Sequence, residues 1–190
     1  MAIEPVMLLQ LTTDLCHVLK HNLARFDNDT SACYDRITVA LGMLAARRCG
    51  MPESAVRTHA DVLRWMKYTV KTIYGFSEGN YKGTVFEPLS GTGQGSGASP
   101  AVWLPLVVIL MNTFERLVPE RMSFMSTDGM IVNSRAVDAF DDTAIGFTVG
   151  KGNHTFETMI TRLQEISQTW EHLLHLSGGS LKLKNARGIF

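Results

Sequence analysis

The sequence predicts one α+β domain. Three patterns carry that expectation: segments with apolar residues at every third or fourth position, shorter segments rich in β-branched and aromatic residues, and an order that mixes the two without an internal repeat or linker. With 190 residues, 45% of them apolar, the chain has the length of one ordinary domain and enough apolar side chains for a core.

Taken in order, Val6, Leu9, Leu11, Leu15, Val18 and Leu19 predict a first helix from Glu4 to about Leu23. It leads into the acidic cluster Asp27-Asn28-Asp29, in which Asp29 follows a short candidate strand. Ile37, Ala40, Leu41, Leu44 and Ala45 define a second helix that Gly50 and Pro52 stop, and a third runs from about Glu53 to Lys67. The period then changes: Tyr68 to Tyr74 and Tyr81 to Phe86, separated by Gly-rich residues, read as a hairpin. Ser99 as cap and Pro100 in the first turn start a helix reaching about Leu117, with Pro105 a candidate kink. Met130 to Val149 reads as two strands around Asp141-Asp142. Phe156, Met159, Ile160, Leu163, Ile166, Trp170 and Leu173 mark an amphipathic helix ended by Gly178-Gly179, and Ser180 to Leu183 a last short strand.

Charge and cysteine usage narrow the function. Lys plus Arg and Asp plus Glu number 18 each, so the overall basic footprint of a free-standing nucleic-acid binder is missing. Cys16, Cys33 and Cys49 are odd in number and lack the close paired spacing of a zinc site, which favours free thiols in a reducing, intracellular compartment. Glu4, Pro5 and Asp14 break the pattern of a signal peptide. The longest apolar run, Ala101 to Met111, contains Pro105 and falls short of the roughly 20 residues of a bilayer span, so no membrane partner is expected. Cys16, His17 and His21 share one predicted helix without a second ligand pair and are assigned no zinc. Ser96 and Ser99 come with no His-Asp arrangement, which leaves a hydrolase without support. Trp65, Trp103 and Trp170 fall at apolar helical positions and are assigned to packing rather than to base stacking.

Chemistry is expected at the two acidic sites and the glycine run between them. A cap for Asp27 or Asp29, and a turn for Asp141-Asp142, are the bland readings. Adjacent carboxylates between β-forming segments repel unless they are exposed or neutralised by a cation. Magnesium prefers a few carboxylate oxygens together with substrate phosphates, and a two-metal site activates an attacking hydroxyl while stabilising the leaving oxygen. Asp29 and Asp141 are the natural bridging pair. The run Gly91-Thr-Gly-Gln-Gly-Ser-Gly-Ala-Ser-Pro100 lets backbone approach a ligand closely, and Gln94 offers an amide donor and acceptor within it. Its formal match to a dinucleotide-binding pattern is set aside, because Glu87 and Pro88 precede it where a buried strand belongs.

In this order the motifs resemble the palm of a reverse transcriptase of the retrotransposon kind. Asp29 with Tyr34-Asp35-Arg36 is similar to the family's first motif, and Gly91-x-Gly-Gln-Gly-Ser-x-x-Ser-Pro100 to its second. Phe140-Asp-Asp-Thr143 is similar to the double-Asp hairpin, and the Trp170 helix with Ser177-Gly-Gly-Ser-Leu-Lys182 to the fourth. The resemblance implies a polymerase palm, a small antiparallel sheet packed on helices, that carries out template-directed DNA synthesis on an RNA or DNA template with a primer. It implies deoxynucleoside triphosphate substrates and two magnesium ions, or manganese, on Asp29, Asp141 and Asp142. Tyr34 would be the steric gate beneath the sugar, Gln94 would contact the incoming nucleotide, and Gly95 would keep the strip open to the template. Two positions depart from the pattern: Ala139 stands where an aromatic is usual, and Asn185 where a lysine is frequent. Little before residue 20 resembles the fingers and nothing after Phe190 a thumb. The chain therefore reads as a fragment whose fingers and thumb come from further polypeptide, or as a truncated remnant retaining nucleic-acid or partner binding.

Overall fold

In chain order the elements are α1 (Ile3–Leu19), β1 (Ala24–Asp29), α2 (Cys33–Arg36), α3 (Val39–Arg48), α4 (Glu53–Trp65), β2 (Tyr68–Thr72), β3 (Gly75–Tyr81), α5 (Ser99–Leu117), β4 (Ser123–Met125), β5 (Ile131–Asn133), β6 (Val137–Ala139), β7 (Ala144–Val149), α6 (Phe156–Ser177) and β8 (Arg187–Ile189). The structure, a computed structural model, describes residues 3–20, 23–29, 33–84, 89–92, 97–118, 123–125, 131–133, 137–139, 144–149, 155–181 and 187–189. The architecture is α+β, with antiparallel sheets and helices. The chain divides into two compact units, Met1–Cys33 with Val108–Phe190, and Tyr34–Val107.

The first unit is built on a four-stranded antiparallel sheet of order β6-β7-β1-β8, with β4 and β5 forming a separate pair. Helix α6 packs on β1 and β7. Its sequence explains why it forms and where it stops. Met159, Leu163, Ile166, Trp170, Leu173 and Leu174 are buried at three- and four-residue intervals, one stripe along the helix. The Thr155 hydroxyl accepts from the Thr158 N–H at the start. At the end Gly178 takes a left-handed backbone, φ 91°, and the N–H of Gly179 reaches the Leu174 carbonyl at 2.9 Å, satisfying an orphan acceptor. The Trp170 ring meets Phe114 edge to face, with centroids 5.6 Å apart.

The second unit packs α3 against α4 through Met43 and Leu63, joined by Val102 of α5 and ringed by Val39, Val56, Ala60 and Met66. Gly42 permits this approach: a Cβ there would stand 2.7 Å from Val102 Cγ1. Exposed ion pairs from Glu53 to Arg47 and Arg57 add little. By length and composition α5 would serve to cross a membrane. Val102, Trp103, Leu106, Leu110 and Phe114 form a buried stripe along it, Leu104, Val108 and Leu117 are exposed, and the helix continues through Pro105.

Several boundaries differ from those the sequence suggests. The second strand of the hairpin is Gly75–Tyr81, because the chain reverses over only two residues, Ile73 and Tyr74, with Gly75 at φ 124°; of the expected Tyr81 to Phe86, residues 82–84 are not in a strand and 85–86 lie outside the described residues. α1 ends at Leu19, and Lys20 follows with a positive φ of 53°. Among the described residues, the stretch from Met130 to Val149 carries β5, β6 and β7 where the sequence suggests two strands. β8 pairs with β1 although nothing in its sequence announces a strand. Of Ser180 to Leu183, Leu181 makes an isolated bridge, and 182–186 lie outside the described residues.

Candidate functional site

Two places hold the residues singled out by sequence. The first is the end of β1, where Asp29 is the last residue of the strand and sits opposite Ala144, the first residue of β7. β6 and β7 pair antiparallel on the far side of the intervening segment. Asp141 and Asp142 belong to that segment, 140–143, which lies outside the described residues. Among the described residues there is no group of three or more His, Cys, Asp and Glu side chains placed to hold a metal ion.

The second place joins α2 to the start of the glycine run. The Gly91 N–H donates to the Ile37 carbonyl at 2.8 Å and the Thr92 N–H to the Tyr34 carbonyl at 2.7 Å. Gly91 has φ 86°, and a Cβ on it would stand 2.6 Å from the Asp35 backbone, so glycine is required twice over. Thr92 is buried, and the buried Ser99 hydroxyl donates to its carbonyl at 3.2 Å. Ser99, expected as a cap, is thus the first residue of α5 and a tie between the helix and the run. The half-buried Tyr34 ring stands edge-on to Trp103, centroids 6.4 Å apart. The first and second motifs therefore meet through backbone hydrogen bonds. Gln94 and Gly95 fall in 93–96, outside the described residues.

Sequence reasoning missed a surface on this second unit. Trp65, assigned to packing, is 66% exposed at the last residue of α4. With Arg64 and Lys82 it lines a cavity of about 670 Å³ whose apolar wall includes Met43, Ala60 and Leu63. The neighbouring hairpin exposes nearly every residue on both strands. Burial, then Tyr81, then Asp35 push the Tyr68 phenol above its ordinary range. The available signal is the density of aromatic and lysine residues between 65 and 82.

No protein-family model and no curated protein matches this chain. Solved structures do. Apo telomerase from Candida Tropicalis superposes with a TM-score of 0.59 at 11% identity, over 100% of this chain and 32% of that one. The same telomerase truncated from its C-terminal domain gives 0.55 at 12% identity, over 97% of this chain and 34% of that one. In complex with a TWJ fragment of telomeric RNA it gives 0.54 at 12% identity, over 97% and 29%. The likeness is one of fold, and this chain spans about a third of the length of the structures it matches.

Proposed function

We propose that this chain is a palm segment of the reverse-transcriptase type that holds nucleic acid and, as 190 residues, does not copy it processively. The observation carrying this reading is the fold likeness to telomerase, a reverse-transcriptase-superfamily protein, over 97–100% of the chain. One of those telomerase structures contains an RNA fragment. Affinity for a duplex depends mainly on cationic contacts to phosphates, and here 18 basic residues are balanced by 18 acidic ones. Binding is accordingly weak and salt-sensitive, and further polypeptide supplies the grip that fingers and thumb give. Fluorescence anisotropy with a primed RNA template tests this: salt-dependent binding is expected, and no binding at about 50 mM salt, where phosphate contacts are strong, would end the reading.

The second reading is template-directed DNA synthesis, favoured by the register of β1 on β7. Asp29 pairs with Ala144, the first residue of β7, and Asp141-Asp142 stand just before it in sequence. In this reading Asp29, Asp141 and Asp142 would hold two magnesium ions, with manganese as substitute, because carboxylate oxygens are the hard donors such ions prefer. Bound there, the ions would neutralise triphosphate charge and favour ionisation of the primer hydroxyl. By the same resemblance Tyr34 would lie beneath the deoxyribose, Gln94 would contact the nucleotide, and Gly95 would leave room for the template strand. The fixed position of Tyr34, tied to Thr92 and set against Trp103, supports a role in which a small displacement would matter. Primer extension on an RNA template, with Asp141→Asn as control, separates the readings. Robust extension lost in the control establishes synthesis; none leaves binding as the function.

A further inference from the structure

The β2–β3 hairpin projects aromatic rings into solvent. Tyr74 is 93% exposed, Phe76 70% and Tyr81 57%, and Ile73 beside Tyr74 is open as well. A soluble domain scatters single exposed apolar residues without consequence, but a contiguous group marks a contact surface. These rings are interleaved with charge. From Lys67 to Lys82 the chain carries Lys67, Lys71 and Lys82 against the single acid Glu78, a net of +2 from three cations and one anion. Among the described residues of this unit, Asp35 is close enough to Tyr68 to help raise its phenol, and Asp61 lines the cavity beside Lys82, offset there by Arg64. In a chain of zero net charge, this is a local excess of positive charge where the rings lie.

The internal bonds of the hairpin set the rings rather than cover them. Lys71 pairs with Phe76, its ammonium 5.6 Å from the ring centroid, so cation and ring occupy one face. Across the other end of the ladder the Tyr68 and Tyr81 rings pair, centroids 5.9 Å apart. The register shifts between Thr69 and Lys71, and the Ser77 hydroxyl fills the irregularity by accepting from the Val70 N–H and donating to the Gly79 carbonyl. At the turn the Thr72 hydroxyl accepts from the Tyr74 N–H, holding the tip that presents the Tyr74 ring. Exposed Trp65 lines the cavity together with Arg64, Lys82 and Asp61.

We propose that the β2–β3 hairpin is a docking surface for single-stranded nucleic acid, with Tyr74, Phe76 and Tyr81 stacking on bases and Lys67, Lys71 and Lys82 contacting phosphates. The proposal rests on the nucleic-acid reading above and names its surface and its form of ligand. Rings alternating with cations suit a flexible polyanion whose bases are unstacked and free to lie on them. They suit a duplex less well, because its base faces are already stacked. A protein partner without dense negative charge would leave the lysines without a counterpart.

Anisotropy titrations of chain 1–190 with labelled oligouridylate, oligothymidylate and a blunt hybrid duplex, each of about 15 nucleotides, test the proposal at several salt concentrations. The single strands should bind more tightly than the duplex. The Tyr74→Ala/Phe76→Ala variant should lose about tenfold or more in affinity for single strands, the scale of base–aromatic stacking. The Lys67→Gln/Lys71→Gln/Lys82→Gln variant should bind with a salt dependence shallower by about two released counterions. Circular dichroism melting confirms that each variant folds. Unchanged affinity and salt slope in both variants, with binding by the parent intact, overturns the hairpin assignment alone. Failure of the parent to bind any oligonucleotide removes the nucleic-acid reading with it. If size-exclusion chromatography shows parent dimers that the ring variant dissociates without loss of oligonucleotide affinity, the rings serve contact between copies and the proposal falls.

Discussion

Helix α6 and the β2–β3 hairpin both carry large aromatic side chains, yet Trp170 of α6 is 1% exposed and Tyr74 of the hairpin 93%. The difference lies in what each element is given to pack against. α6 has a stripe at helical spacing, a sheet beneath it and Phe114 against its Trp170 ring. The hairpin has one partner strand for each strand and solvent on both faces. A two-stranded ribbon by itself is marginal in water, and this one is held at turn and bulge by hydroxyl bonds from Thr72 and Ser77. Aromatic side chains thus serve as core in one region and as contact surface in the other.

Replacing core and surface groups in turn tests the contrast. The largest effect is expected for Trp170→Ala, which removes the largest fully buried side chain and the edge-to-face contact with Phe114. A loss of about 3–5 kcal/mol in urea unfolding is the scale for such a deletion. A loss below about 1 kcal/mol, the size of an ordinary surface or cap change, would show that α6 is not the core helix. Gly91→Ala comes next: strain at a left-handed φ of 86° combines with a Cβ 2.6 Å from the Asp35 backbone, which has no flexible end to yield. About 1–3 kcal/mol is expected. Because Gly91 ties the two motifs together, the change should also weaken any binding by the glycine run; full stability of the Gly91→Ala variant would mean that the two segments are not in contact.

Thr155→Ala should cost about 1 kcal/mol, since it removes the hydroxyl that accepts from the Thr158 N–H. Thr155→Ser should restore most of it, which separates capping from packing in the same unfolding assay. Cys16 gives a smaller effect with a definite sign. Burial raises its thiol above the ordinary range of a cysteine, so in alkaline solution the folded state keeps a proton that the unfolded state releases. Its contribution is fully present below the unfolded pKa and is lost as pH rises from there through the folded value. The stability difference between wild type and Cys16→Ala should therefore shift against wild type in alkaline buffer. A difference independent of pH up to about 10, where an exposed thiol is already ionised, would mean that the Cys16 thiol is not buried.

Much of α6 is legible in the sequence because its determinants are local: the apolar period and the glycines at its C-terminus. The pairing of Asp29 with Ala144 is not, because register is decided between segments more than a hundred positions apart and the sequence marks only the motifs at each end. The reversal at Ile73-Tyr74 escapes sequence reasoning for a related reason: neither is a usual turn residue, and the signal sits just after them in Gly75. The exposure of Trp65 escapes it because the period assigns a helical face but not whether anything covers it. At the site, Tyr34 and Gly91 both stand out by motif; their contact through Thr92 and Asp35 is a product of the fold.

The smallest expected effect on stability tests the other half of the contrast. Tyr74→Ala removes a large ring from a regular structure, which in a core would cost several kcal/mol. Tyr74 is instead open to solvent, and the bond that holds the turn is made by its backbone N–H to the Thr72 hydroxyl, which alanine keeps. Alanine also preserves the β-branched neighbour Ile73 and leaves the positive φ to Gly75. The melting midpoint should therefore stay within the change expected of about 0.5 kcal/mol for a surface substitution. Thr72→Ala, which deletes the acceptor but leaves the ring, should perturb the hairpin more than Tyr74→Ala does, as read from amide exchange at Lys71 and Phe76. The reverse order would mean that the Tyr74 ring is packed in solution, and the hairpin would then belong with α6 as core.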